Sequence, residues 1–316
     1  MVLIKVSDTA VQRAAEVLRA GRLVAFPTET VYGLGANATD GRAVAQVFEA
    51  KGRPSFNPLI VHLFDYAAAE RIAVFTEKAR RLAGAFWPGP LTLVLQRKPE
   101  AGLSDLVTAG LDSVALRVPD HPVARALLRA SALPIAAPSA NRSGHVSPTT
   151  AEHVAADLGD KPVMILDAGP TAHGLESTVL DARGDRVVRL RPGATTAEAI
   201  EAVLGEPIER AFCSGDRPLS PGQLETHYAP TARIRLGATD MRPGEALLAF
   251  GPGPPGARGP SINLSPTGDL IEAAANLFAA LRKLDATGVS TIAVMPIPET
   301  GLGEAINDRL RRAAAR

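Results

Sequence analysis

Apolar positions recur along this chain with two periods that take turns. Val11, Ala14, Ala15 and Leu18 fall at i, i+3, i+4 and i+7, the spacing of one helix face, and Gly21 ends the pattern. Residues 23–26 then form an apolar run of strand length. Ala43, Val44, Val47 and Phe48 make a second helical stripe that stops at Lys51-Gly52, and LIVHLF (59–64) predicts the next strand. Further strands are predicted over 91–96, 113–118, 134–137, 163–167, 177–181 and 186–190. Strands with helices between them predict an α/β or α+β domain built on a large sheet, spanning residues 1–204.

From 205 to 230 neither period is sustained and Pro and Gly are frequent, yet apolar and aromatic residues persist; this predicts an ordered linker. Alternation resumes after Pro230. Strands are predicted over 232–236, 245–250 and 291–295. One helix is predicted over 270–284, with Ala274, Leu277, Leu281 and Leu284 on a face, and a basic closing helix over 302–312. The order β–β–α–β–α predicts a small parallel-sheet domain over 231–316.

Composition narrows the classes. Of 316 residues 46% are hydrophobic, enough for a large domain and a small one. A net charge of +1 and an aromatic fraction of 4% argue against a protein that lives on nucleic-acid backbone or stacks bases. The single cysteine, Cys213, supports neither a disulfide framework nor a thiolate zinc site, and no motif around it marks a nucleophile. No run approaches the roughly 20 apolar residues of a membrane span, and the first residues turn polar too soon for a signal peptide. The expectation is a soluble, cytoplasmic protein.

Polar clusters at predicted strand ends are the candidates for chemistry. Thr28, Glu29 and Thr30 sit in PTETVYGLG directly after a strand, either as a capped turn or as a ligand-facing one. Lys51 and Arg53 flank Gly52 in a loop that reaches Asn57; they suit phosphates, or simply decorate a helix C-terminus. His62 and Arg117 are lone polar residues in apolar strands. A buried Arg needs an anion, from a protein carboxylate or a ligand. Ser139, Asn141 and Ser147 follow another strand, Glu176 and Ser177 lie in GLESTV, and Arg191 precedes a helix beginning near Thr195 whose N-terminus would attract an anion. Gly251–Gly256 matches G-x-G-x-x-G, but three of those six residues are prolines, which lack the N–H donors a pyrophosphate needs.

Taken in order, PTETVYGLG (27–35), KGRPSFNPLIVH (51–62), ALRVP (115–119), PSANRSGHVSPT (138–149), GLESTVLD (174–181) and RLRPG (189–193) resemble the YrdC-like family, specifically its two-domain threonylcarbamoyl-AMP synthases. Ser220-Pro221-Gly222 and His227-Tyr228-Ala229-Pro230 resemble the family's linker motif, and the tail resembles its small Rossmann-like domain more loosely. The resemblance implies a twisted open sheet with a concave, positively lined cleft. It implies a nucleotidyltransferase that makes L-threonylcarbamoyl-AMP and pyrophosphate from L-threonine, bicarbonate and ATP with Mg²⁺. The product would pass to a tRNA threonylcarbamoyl transferase.

Carried over by motif, Thr30, His62, Arg117, Ser177 and backbone near Ala137 would hold L-threonine. Lys51, Arg53, Asn57, Ser139, Asn141, Ser147, Arg191 and Tyr228 would hold ATP, with Lys51 and Arg53 catalytic. The stretch Gln223-Leu224-Glu225-Thr226 lacks the Lys and Arg that many members carry there. Two rivals stand beside this reading. One is an RNA-binding module using the same cleft. The other is a relative that forms carbamoyl-AMP from carbamoyl phosphate.

Overall fold

The computed structural model describes residues 1–211, 228–253 and 259–315. Cys213, the Ser220-Pro221-Gly222 and Gln223–Thr226 stretches, His227 and the second half of the glycine–proline run lie outside these residues.

Twelve strands of the described residues make one sheet. They are β1 (Val2–Lys5), β2 (Leu23–Pro27), β3 (Tyr32–Asn37), β4 (Ile60–His62), β5 (Ala73–Val74) and β6 (Leu91–Arg97). The second six are β7 (Ser113–Arg117), β8 (Ile135–Ala136), β9 (Val163–Asp167), β10 (Thr178–Asp181), β11 (Val188–Arg191) and β12 (Glu209–Arg210). The order is β1-β9-β2-β3-β8-β4-β7-β6-β10-β11-β12, with β5 pairing only with β6. Helices α1 (Asp8–Arg19), α2 (Gly41–Lys51), α3 (Tyr66–Ile72), α4 (Glu77–Phe86), α5 (Asp105–Thr108), α6 (Pro122–Ser131), α7 (Ala151–Leu158) and α8 (Ala197–Leu204) connect them. Beyond Pro230, β13 (Arg233–Arg235), β14 (Glu245–Ala249), β15 (Ser261–Asn263) and β16 (Thr291–Val294) form an all-parallel sheet in the order β13-β16-β14-β15. It carries α9 (Leu270–Asp285) and α10 (Leu302–Ala314).

The large sheet divides its side chains by alternation. Val61, Leu93, Leu116 and Leu180 point into the main core. Val24, Phe26, Ile135 and Met164 meet α1 and α6 in a second cluster. Ile60, Val94, Ala115, Val179 and Leu190 form a smaller group on a face that turns polar toward one rim. A third large cluster belongs to the small domain but includes Val31, Val146 and Leu175 of the large one, so the two domains share apolar contacts.

The structure changes several predicted elements. Tyr32–Asn37, expected to be part of a turn, is a strand antiparallel to β2, and β1 and β15 are strands that no periodicity announced. The small domain therefore reads β–β–β–α–β–α. LIVHLF contracts to Ile60–His62, although the Leu59 and Leu63 N–H groups still donate to the Val107 and Arg117 carbonyls.

Candidate functional site

Several strand ends meet along the polar rim, and their register sets neighbours. His62 of β4 pairs with Arg117 of β7, so alternation puts both on one face. Beside them the start of β6 pairs with the start of β10, which follows Ser177 directly, and Val179 pairs with Arg191 at the end of β11. Thr28, Thr30, Gly33, Ala137 and Ser139 complete this side from the turn before β3, from β3 itself and from the segment after β8. The cleft thus brings together Thr30, His62, Arg117, Ala137, Ser139, Ser177, Arg191 and Tyr228, with Glu176 in its wall.

The threonine hydroxyls explain the PTET turn. The Thr28 hydroxyl accepts from the Thr30 and Val31 N–H groups and donates to the Val31 carbonyl at 2.7 Å, closing the turn on itself. The Thr30 oxygen lies 2.8 Å from that of Thr28 and accepts from Arg117 Nη1 at 3.0 Å. The anion that Arg117 required is Glu29: the ion pair closes at 2.6 Å with both side chains buried. Burial alone would raise the Glu29 pKa, but the charge and hydrogen bonding of Arg117, together with nearby backbone N–H groups, outweigh it and hold the carboxyl below its ordinary value. Arg117 is therefore neutralised from within the protein and also lines the cleft. His62 is held edge-on to Phe26, and burial pushes its pKa to about 3, with Arg117 acting in the same direction. It is a neutral imidazole, and its Nδ1 has no hydrogen-bond partner among the described residues. The Ala137 N–H already donates to the Ile60 carbonyl, so that position offers a ligand no N–H donor.

Lys51 and Arg53 are placed differently. Lys51 lies on the buried face of α2 with Ala43, Val44, Val47 and Phe48, at its last turn, and Gly52 ends the helix in the left-handed region at φ 58°. Its ammonium donates to the carbonyls of Ser139 and Asn141, which ties α2 to the loop after β8. Arg53 folds back on its own loop, donating to the carbonyls of Asn57 and Pro58. Neither cation has a carboxylate within ion-pair distance among the described residues. Burial holds the Lys51 pKa well below its ordinary value, reinforced by the Arg53 charge, and lowers that of Arg53 to about 10. Two buried cations without a counter-charge make a site that an anion would stabilise. The Asn141 amide donates to the carbonyls of Arg142 and His145, while its side-chain oxygen and that of Asn57 are buried without partners.

On the far wall Arg191 donates to the Ser177 carbonyl at 2.8 Å and to the Ser177 hydroxyl at 3.2 Å. Ser177 also lies 2.8 Å from the Thr92 hydroxyl. The helix start expected to share an anion with Arg191 is used otherwise. The Thr196 hydroxyl caps α8, and Glu198 in its first turn accepts from the Gly301 N–H of the small domain. Ser147 donates to Glu176 at 2.5 Å. Three contributors had no assigned role from sequence: Glu29, Glu176 and Arg309. Arg309 carried a readable signal, because it falls on the apolar stripe of α10 with Ala305, Ile306, Leu310 and Ala313.

The fold and the cleft define a two-domain α/β protein with a buried cationic site at a sheet rim, closed on one side by the small domain. The chain belongs to the family of Sua5, YciO and YrdC proteins: that family's model, described as telomere recombination, matches residues 16–193. A second model, described as the C-terminal domain of threonylcarbamoyl-AMP synthase, matches residues 195–315. The threonylcarbamoyl-AMP synthase of Bacillus subtilis is 46% identical over 98% of this chain and 94% of its own length. That of Pyrococcus abyssi is 43% identical over 98% of this chain and 95% of its own. The crystal structure of P. abyssi Sua5 complexed with L-threonine superposes with a TM-score of 0.91 at 41% identity, covering 99% of this chain and 98% of that one.

Proposed function

We propose that this chain is a threonylcarbamoyl-AMP synthase, an enzyme that joins L-threonine, bicarbonate and ATP into L-threonylcarbamoyl-AMP, releasing pyrophosphate and water, for tRNA modification. The full-length likeness to enzymes of that name supports the reaction. The observation that carries the nucleotide half is the pair Lys51 and Arg53, buried and lacking any carboxylate partner among the described residues.

In the reaction the threonine amine, once deprotonated, attacks carbon dioxide derived from bicarbonate to give a carbamate. A carbamate oxygen then attacks the α-phosphorus, and the bond to the pyrophosphate oxygen breaks. No covalent enzyme intermediate is needed, so positioning and charge neutralisation suffice. Arg117 receives the threonine carboxylate, with Glu29 holding its guanidinium in place. Thr30 and Ser177 offer hydroxyls, and neutral His62 offers a nitrogen that does not repel the substrate amine. Lys51 and Arg53 offset charge that develops on the triphosphate. Ser139, Asn141, Asn57, Ser147, Arg191 and Tyr228 shape the rest of the nucleotide site.

Magnesium enters as the counter-ion of the ATP phosphates. The two buried carboxylates of the site, Glu29 and Glu176, are engaged by Arg117 and Arg309, and no group of three His, Cys, Asp or Glu side chains among the described residues suits a metal ion. The product is a labile adenylate, which calls for a receiving tRNA threonylcarbamoyl transferase. No helix among the described residues is long and apolar enough to cross a membrane.

The test is transfer of labelled bicarbonate into an adenylate, with ATP, Mg²⁺, and L-threonine present or absent. Threonine-dependent product with matching pyrophosphate is expected. Substituting carbamoyl phosphate for threonine and bicarbonate should yield nothing; product there would support the carbamoyl-AMP relative instead. Lys51→Ala and Arg53→Ala should each cost well over tenfold in kcat/KM, more than about 1.4 kcal/mol of transition-state stabilisation.

A further inference from the structure

Arg309 is the largest fully buried side chain in the described molecule, and it comes from the last helix of the small domain. Its Nε donates to Glu176 Oε2 at 2.9 Å, its Nη2 to the Pro192 carbonyl at 2.9 Å, and its Nη1 to Asp308 at 2.6 Å. Its guanidinium carbon stands 5.1 Å from the centre of the Tyr228 ring, which stacks on Phe278 of α9. One cation of the small domain thus touches a carboxylate and an aromatic ring that both line the cleft, and the backbone beside Arg191.

We propose that Arg309 is a positioning residue for the nucleotide: it fixes Glu176 as an acceptor-only carboxylate and thereby fixes which way the Ser147 hydroxyl points. The chemistry follows from proton counting. A hydroxyl has one proton, and Ser147 commits it to Glu176 Oε1 at 2.5 Å. What remains on the Ser147 oxygen is lone pairs. Phosphate oxygens also accept, so Ser147, fully buried where it bonds the cleft-lining Glu176, is matched to a donor on the ligand, a ribose hydroxyl or the amino group of the base. Burial would raise the Glu176 pKa, but the Arg309 and Arg191 charges outweigh it and hold it at about 2, so the carboxylate does not take up a proton and reverse the bond at neutral pH. On this account the small domain completes the nucleotide site from behind and does not act only as a docking module. The proposal rests on the reading of the cleft as an ATP site.

The experiment uses the full chain with Arg309→Met, Ser147→Ala and the double variant Arg309→Met/Glu176→Gln. The double variant removes both buried charges and so guards against a variant that merely fails to fold. Folding is followed by near-ultraviolet circular dichroism and thermal melting. Direct binding of Mg-ATP and of inorganic tripolyphosphate is measured, with KM and kcat for threonine-dependent pyrophosphate release. All three variants are expected to weaken ATP binding and raise its KM by about tenfold, with kcat and tripolyphosphate affinity held within about threefold. Wild-type ATP affinity in the folded double variant would reduce Arg309 to a packing role and overturn the proposal. So would equal losses for ATP and tripolyphosphate, which would place Ser147 against phosphate. If the wild type binds ATP but releases no threonine-dependent pyrophosphate, the reaction assignment fails, while the affinities still decide the role of Arg309.

Discussion

His62 shows how one residue's surroundings set both its chemistry and its cost. An imidazole between Phe26 and the Arg117 guanidinium loses its hydration and faces a like charge, so the protonated form is disfavoured down to about pH 3. In the unfolded chain the same residue takes up a proton near 6.5. Between those values the unfolded state binds one proton more than the native state, so stability must fall as pH falls, by up to about 1.4 kcal/mol per pH unit from this group. The contribution is fully present above pH 6.5 and exhausted near pH 3. Urea unfolding from pH 7 to pH 4 should therefore show a shallower loss of stability for His62→Gln than for the wild type. Equal slopes would mean that the imidazole is hydrated and titrates normally in the folded protein. Activity above pH 5 should show no ionisation belonging to His62.

At the scale of elements, the alternation of periods announced α1, α2, α9 and most of the long strands, because each buries one regular face. It did not announce Tyr32–Asn37, whose two glycines read as a turn. That strand needs them: a Cβ at Gly35 would stand 2.8 Å from the Phe26 ring and 2.9 Å from Ile135. Nor could periodicity mark β1 or β15, each of four residues or fewer and neither deeply buried. The site was legible as motifs but not as pairings. No spacing rule links Glu29 to Arg117 or Glu176 to Arg309, since each pair is made by strands and helices far apart in the chain. The same holds for the tie between β10 and the loop before α8. The Thr178 hydroxyl donates to the Thr195 carbonyl at 2.5 Å and accepts the Thr195 N–H at 3.1 Å. Thr178→Val keeps the shape and strands both backbone groups in a buried place, so it should cost about 1–3 kcal/mol in chemical denaturation. Because Ser177 precedes Thr178, activity should fall with it. A neutral effect on both would mean that water reaches Thr195.

For the whole molecule, the question is how firmly the domains are joined. Besides Arg309–Glu176, Arg189 pairs with Glu304 at 2.5 Å, Arg282 pairs with Asp157 at 2.7 Å, and apolar residues of both domains form one cluster. The backbones approach closely at Gly174, where φ is +64° and a Cβ would lie 2.4–2.5 Å from the carbonyl oxygens of Ala274 and Ala275 in α9. Gly174→Ala thus combines two effects: a left-handed backbone that Ala disfavours, and a clash across the domain boundary. Gly205 separates them, since its φ is +74° and nothing stands within 4 Å of its would-be Cβ. Gly205→Ala should cost about 1 kcal/mol, the conformational term alone. Gly174→Ala should cost several times that, because two backbone carbonyls must move to admit the methyl group. Since α9 and α10 pack on each other, that displacement should also draw Arg309 from Glu176, raising the KM for ATP where Gly205→Ala leaves it unchanged. Equal stability losses for the two variants, with no change in KM, would show that the domains slide apart at little cost and that the small domain is not fixed against the cleft.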